Sequence, residues 1–168
     1  MNEETALALY RQTLAWASAL GDRFLLRLQI SAYEDSSDVT RLCALGKATA
    51  VPAAVPPKRF PDRILSKLFP NPTDIVEVEG APGEAFVREL TLKPAPPGAV
   101  SGDLSPVEDI TVFIGPRRLY SLSDYGRDQV LDLTAEELEM LRRTLSQAGL
   151  KQESLIPAPP YPPALEEP

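Results

Sequence analysis

The sequence predicts an α+β fold: an antiparallel sheet of about five to six strands built from hairpins, packed by N- and C-terminal helices and one short central helix. Three observations predict it. Apolar residues recur at helical spacing near both ends of the chain, they alternate with period two in between, and turn residues break the alternating runs at short intervals. No strand-helix-strand alternation of the kind that builds a parallel nucleotide-binding sheet is read from it.

The first helix is placed over residues 3–20. Asn2 can cap it, Glu3 and Glu4 suit its first turn, and Gly21 is positioned to end it. Leu7, Tyr10, Leu14 and Ala17 fall on one stripe, which Leu9, Trp16 and Leu20 widen beyond what one sheet contact needs, so part of this face is expected to meet a partner. From Arg23 to Tyr33 the period becomes two: Phe24, Leu26, Leu28, Ile30 and Ala32 alternate with mostly polar neighbours, Leu25 being the exception. Residues 34–38 supply turn chemistry, and Val39 to Thr49 is read as a returning strand, with a short helix as the alternative.

Four prolines within 52–61 mark a connector. A short helix follows, capped by Asp62, with Ile64, Leu65, Leu68 and Phe69 on its buried side and Pro70 at its end. Residues 74–79 and 85–93 are read as a hairpin turning at 80–83, with Phe86, Leu90 and Leu92 on one face. After a loop at 94–106, Ile110, Val112 and Ile114 form one arm of a second hairpin, Gly115-Pro116-Arg117-Arg118 its turn, and 119–124 its other arm. Thr134 and Glu137 make a T-x-x-E capping box for a helix at about 135–148, with Leu138, Leu141 and Leu145 at helical spacing and Gly149 closing it. Residues 1–150 are thus expected to form one domain, and the proline-rich, acidic 151–168 a disordered tail.

Composition narrows the function classes. The 168 residues carry 17 Lys plus Arg against 24 Asp plus Glu, a net charge of −7, which opposes any general coating of nucleic acid. There is no histidine, so a conventional catalytic triad is ruled out, and with one cysteine, Cys43, neither a usual zinc site nor an internal disulfide can form. No phosphate-binding glycine motif and no EF-hand loop occurs, and Glu77 with Glu79 reads as a solvated acidic face more readily than as a glycosidase pair. Cys43, between Leu42 and Ala44, reads as core packing. No cofactor and no metal is therefore assigned. The start of the chain lacks the basic region of a secretory signal and no apolar run reaches the ~18–20 residues of a membrane span, so a cytoplasmic protein is expected.

The leading expectation is a non-catalytic protein-interaction module: an adaptor, regulator or chaperone-like protein for a protein client, with a homodimer allowed. In size, charge and mix of elements such a chain resembles secretion-type chaperones. The candidate partner-binding residues are Tyr10, Trp16, Arg117, Arg118 and Tyr120, because aromatic and arginine side chains most often anchor interfaces. The alternative is a nucleic-acid-associated accessory factor in which Arg117 and Arg118, at a hairpin tip, join Lys58 and Arg59 in a local phosphate-binding patch. The segment Pro157 to Pro160 also fits the spacing of a polyproline ligand.

Overall fold

The computed structural model describes residues 3–30, 36–51, 74–91, 106–123 and 128–150. Along the chain they form α1 (Glu3–Leu20), β1 (Arg23–Ile30), α2 (Ser36–Cys43), β2 (Lys47–Val51), β3 (Asp74–Gly80), α3 (Glu84–Thr91), β4 (Val107–Ile114), β5 (Arg117–Ser123), β6 (Asp128–Leu131) and α4 (Ala135–Gln147). The fold is α+β, with one six-stranded sheet in the order β2-β3-β1-β4-β5-β6 and every neighbouring pair antiparallel. Among the described residues no helix is long and apolar enough to cross a membrane.

β1 lies inside the sheet, paired on one side with β3 and on the other with β4. Its alternation therefore divides two faces. Phe24, Leu26 and Leu28 are fully buried on one, where Val78, Ile110, Val112, Tyr120 and Leu122 continue the same layer across the register. The helices cover this face. Phe86 of α3 stacks on Phe24 with ring centroids 4.3 Å apart, while Leu42 of α2 and Leu141 and Leu145 of α4 join the same buried cluster.

α1 packs against α3, α4, β4 and β5, which accounts for its broad apolar stripe: its width is taken up by contacts inside the chain. The Tyr10 hydroxyl donates to the Leu90 carbonyl at 3.0 Å and the Arg11 guanidinium to that of Thr91 at 3.2 Å. Both acceptors lie in the last turn of α3, whose carbonyls lack partners within the helix. Gly21 follows α1 for a reason of space, since a Cβ there would stand 2.3 Å from Val112 Cγ1. α4 keeps the predicted capping box, and its end closes with Gly149 N–H donating to Ser146 O and Leu150 N–H to Leu145 O, the paired bonds of a Schellman motif.

Three sequence expectations are corrected. Residues 36–43 are helix and only Lys47–Val51 is strand, where one strand over 39–49 was expected. The arm expected at 85–93 is α3, because Phe86 and Leu90, four apart, share a face both in a strand and in a helix, and Glu84 in the first turn with Arg88 in the last suits the helix. β3 pairs instead with β1 and β2, so strand-helix-strand connections do occur: α2 and α3 each carry the chain past one intervening strand, giving a split β-α-β arrangement from β1 to β4. Lastly, the β4–β5 turn is two residues long. Ile114 pairs with Arg117 directly, with Gly115 at a φ of 57° and Pro116 at its fixed negative φ, the sign pattern of a type II′ turn. Arg117 and Arg118 are strand residues. The connector at 52–61, the central helix from Asp62, the loop at 94–105 and the segment 151–168 lie outside the described residues.

The Phe24–Phe86 stack joins the central strand to the helical layer with no exposed surface on Phe24. Phe24→Ala is expected to cost roughly 3–5 kcal/mol in a denaturant titration, as large core truncations do. A loss below about 1 kcal/mol would show that β1 is not held by this contact.

Candidate functional site

Of the five residues proposed as partner anchors, the structure sets three inside the chain: Tyr10, Trp16 and Tyr120 are all buried. Burial pushes the Tyr10 phenol well above its usual range and does the same to Tyr120. Trp16 is 7% exposed, and its Nε1 has no acceptor among the described residues.

The two arginines part company at the β5 end of the turn. Arg117, opposite Ile114, leans to the helical side and ties β5 to the start of α4: its guanidinium donates to Glu137 Oε1 at 2.5 Å and to the Asp132 carbonyl. Glu137 also accepts from Thr134 N–H at 2.8 Å through its other oxygen, so one carboxylate serves both the cap and the strand. Arg118, opposite Phe113, points to the other face, is exposed, and has no ion-pair partner among the described residues.

Among the described residues no helix packs on that other face, and the register lays it out in rows. The middle row crosses all six strands: Lys47, Glu79, Leu25, Thr111, Ser121 and Val130. From Leu25 to Val130 it is uncharged, with Thr111 and Ser121 hydroxyls 3.4 Å apart and Val130 56% exposed, the most open large apolar side chain among the described residues. Toward the start of β1 the next row is Arg23, Phe113 and Arg118. The Arg23 guanidinium sits 4.0 Å over the Phe113 ring and 3.0 Å from Glu79. Toward the end of β1 lie Glu77, Arg27 and Asp109. A bulge in β4 adds Glu108 here, whose carboxylate meets Arg27 Nε at 3.0 Å.

This face is therefore polar in sequence but organised in space. The row on one side of the middle carries the cations Arg23 and Arg118; the row on the other side carries Glu77, Glu108 and Asp109 with the cation of Arg27, while Lys47 and Glu79 lie side by side at the β2–β3 end of the middle row. The two flanking rows thus bear opposite net charge across a middle row that is uncharged from Leu25 to Val130. Sequence reading missed Leu25, Thr111, Phe113 and Val130, although Leu25 in the polar phase of β1 and Phe113 between Val112 and Ile114 were its visible signals.

Several other described charges pair locally. Arg41 reaches Asp38 on its own helix and Glu89 of α3 at 3.3 Å, beside a hollow between α2, α3 and the start of β4 with room for about one water. Arg142 and Arg143 both turn to Glu139, at 3.8 and 4.0 Å, pairing along α4 as its spacing predicts. Cys43 is half-buried, and desolvation raises its thiol pKa. Among the described residues no cluster of three His, Cys, Asp or Glu could hold a metal ion.

The Glu137 carboxyl is held below its ordinary value, chiefly by the hydrogen bond from Arg117 and next by that from the Thr134 backbone. A depressed folded value means the stabilisation is complete above the unfolded value of about 4.3 and is lost as pH falls through the folded one. Denaturant titrations of wild type and Glu137→Gln should therefore differ by a constant amount near neutrality and converge on acidification. A gap that widens in acid would contradict the assignment. Compared with known proteins, the chain matches no family model, no curated protein and no solved structure, so its functional reading rests on its own residues.

Proposed function

We propose that this chain is a non-catalytic protein-interaction module, acting as an adaptor, regulator or chaperone-like protein, and that it binds through the open face of its sheet. The observation that carries this reading is that the described helices all pack on one face of a six-stranded sheet, while its other face sets Leu25, Thr111, Phe113 and Val130 among sorted charges. Apolar groups rimmed by arginines and carboxylates are the composition of a recognition surface, in which an uncharged centre supplies burial and the charges supply orientation. The helical side offers less, since α1 spends its stripe inside the molecule.

The test compares two variants in affinity capture from native extract. Leu25→Arg alters the open face of β1 and should keep the fold while losing the captured protein. Trp16→Glu places a charge in the core and should lose the fold itself. If Leu25→Arg folds and captures the same proteins as wild type, the open face is not the binding surface.

A second reading is favoured by one row. Arg23, Phe113 and Arg118 interleave cations with an aromatic ring, the combination that holds single-stranded nucleic acid by stacking and phosphate contact. Arg117, committed to Glu137, no longer belongs to that patch. Binding to single-stranded DNA should then weaken with salt at a slope of about −0.7 per phosphate contact and fall in Phe113→Ala. Absence of binding at low salt removes this reading.

A further inference from the structure

We propose that the partner taken by the open face is an amphipathic helix of another protein, laid along the strands, whose contact face is acidic at one end, apolar in the middle and basic at the other end. The proposal rests on the reading of that face as the binding surface and names the chemistry it selects.

The charges left over after internal pairing carry it. Arg23 is met by Glu79 and Arg27 by Glu108, each at 3.0 Å. Arg118 in one flanking row, and Glu77 and Asp109 in the other, have no ion-pair partner among the described residues. The unspent charge is therefore sorted by row, positive beside Phe113 and negative on either side of Arg27, with Leu25, Thr111, Ser121 and Val130 between. A partner of one sign satisfies one row and is repelled at the other, so such a surface selects a segment that carries both signs. Single-stranded nucleic acid fits less well, because it draws its affinity from many cations and the row of Arg23, Phe113 and Arg118 offers it one unpaired arginine.

Spacing and backbone chemistry decide for a helix. Neighbouring rows are two residues apart along a strand, ~7 Å, so the flanking rows stand ~14 Å apart. A helix rises about 5.4 Å per turn, so side chains two and three turns apart on one face, at ~11 and ~16 Å, bracket that distance and leave a turn over the middle row. The strands spend their amides and carbonyls on one another within the sheet, so the face offers a docked backbone no partners. A helix arrives with its own amides and carbonyls paired. Thr111 and Ser121, short side chains between Leu25 and Val130, give its apolar turn room to approach.

Fluorescence anisotropy of labelled synthetic peptides with the full chain tests this. An alanine-based helix that presents glutamates, then leucines, then lysines along one face is compared with a peptide of the same composition whose glutamates and lysines alternate, and with oligo(dT). The sorted peptide should bind at least about tenfold more tightly than the alternating one, and oligo(dT) should bind more weakly than either. Arg118→Glu, at an exposed position, should keep the denaturation midpoint, weaken binding of the sorted peptide by about tenfold, and prefer a peptide whose glutamates are replaced by lysines. Equal affinity for the sorted and alternating peptides, or none for either up to ~1 mM, overturns the proposal, as does tighter binding of oligo(dT). If the sorted peptide has no advantage while Leu25→Arg still loses its captured protein, this partner chemistry fails and the open-face reading stands; if capture is also unaffected, both fail.

Discussion

The position of β1 between β3 and β4 is the constraint from which the remaining architecture follows. A strand paired along both edges cannot change register without carrying its neighbours, and a shift of one residue would turn Phe24, Leu26 and Leu28 out to solvent and bring Arg23, Leu25 and Arg27 inside. The stack of Phe24 on Phe86 resists that shift from above, and Gly21 resists it from behind by allowing α1 to run into β1 against Val112 without a side chain between them. With that register fixed, every neighbouring strand inherits an inner and an outer face.

One-sided coverage is the next consequence. The four described helices all contribute to one buried layer, and α1 meets α3 and α4 as well as the strands beneath it. Their polar ends are completed within the chain: Tyr10 and Arg11 serve the last carbonyls of α3, and Glu137 serves both the start of α4 and Arg117. Such internal completion leaves little unsatisfied chemistry on the helical side. The sheet's far side differs, because an antiparallel sheet needs only one covered face to be stable and its second face is free to be specified by something other than folding.

How much of this the sequence disclosed depended on which distances its patterns could span. The capping box at Thr134 and Glu137, the period of β1 and the hairpin about Gly115 are local signals, and each appears in the structure close to where the residues place it. The class of fold was legible for the same reason. α3 was not, since Phe86 and Leu90 share a face under either period, and β3 then lost its expected partner to β1, some fifty residues earlier in the chain. Trp16, Tyr10 and Tyr120 looked like anchors because large aromatic residues mark interfaces and cores alike; the packing of α1 buries the first two, and the register of β5 opposite Val112 buries Tyr120. The site itself is a matter of register: Arg23, Phe113 and Arg118 are remote in sequence, and nothing local announces that they form one row.

The compensation of charge on the open face explains how a proposed binding surface can read as ordinary solvent-facing sheet. Each arginine there except Arg118 has a carboxylate close by, so Arg23 and Arg27 remain ordered without drawing in a polyanion, and the face as a whole adds little to the chain's excess of negative charge. Placing an excess of cations in one flanking row and an excess of carboxylates in the other, instead of mixing them, gives the surface a direction. Direction is what a flat sheet face otherwise lacks, since its strands repeat every few ångströms and many offsets bury similar area. A partner that had to match the cations Arg23 and Arg118 in one row and the carboxylates Glu77, Glu108 and Asp109 in the other would be confined to few of those offsets.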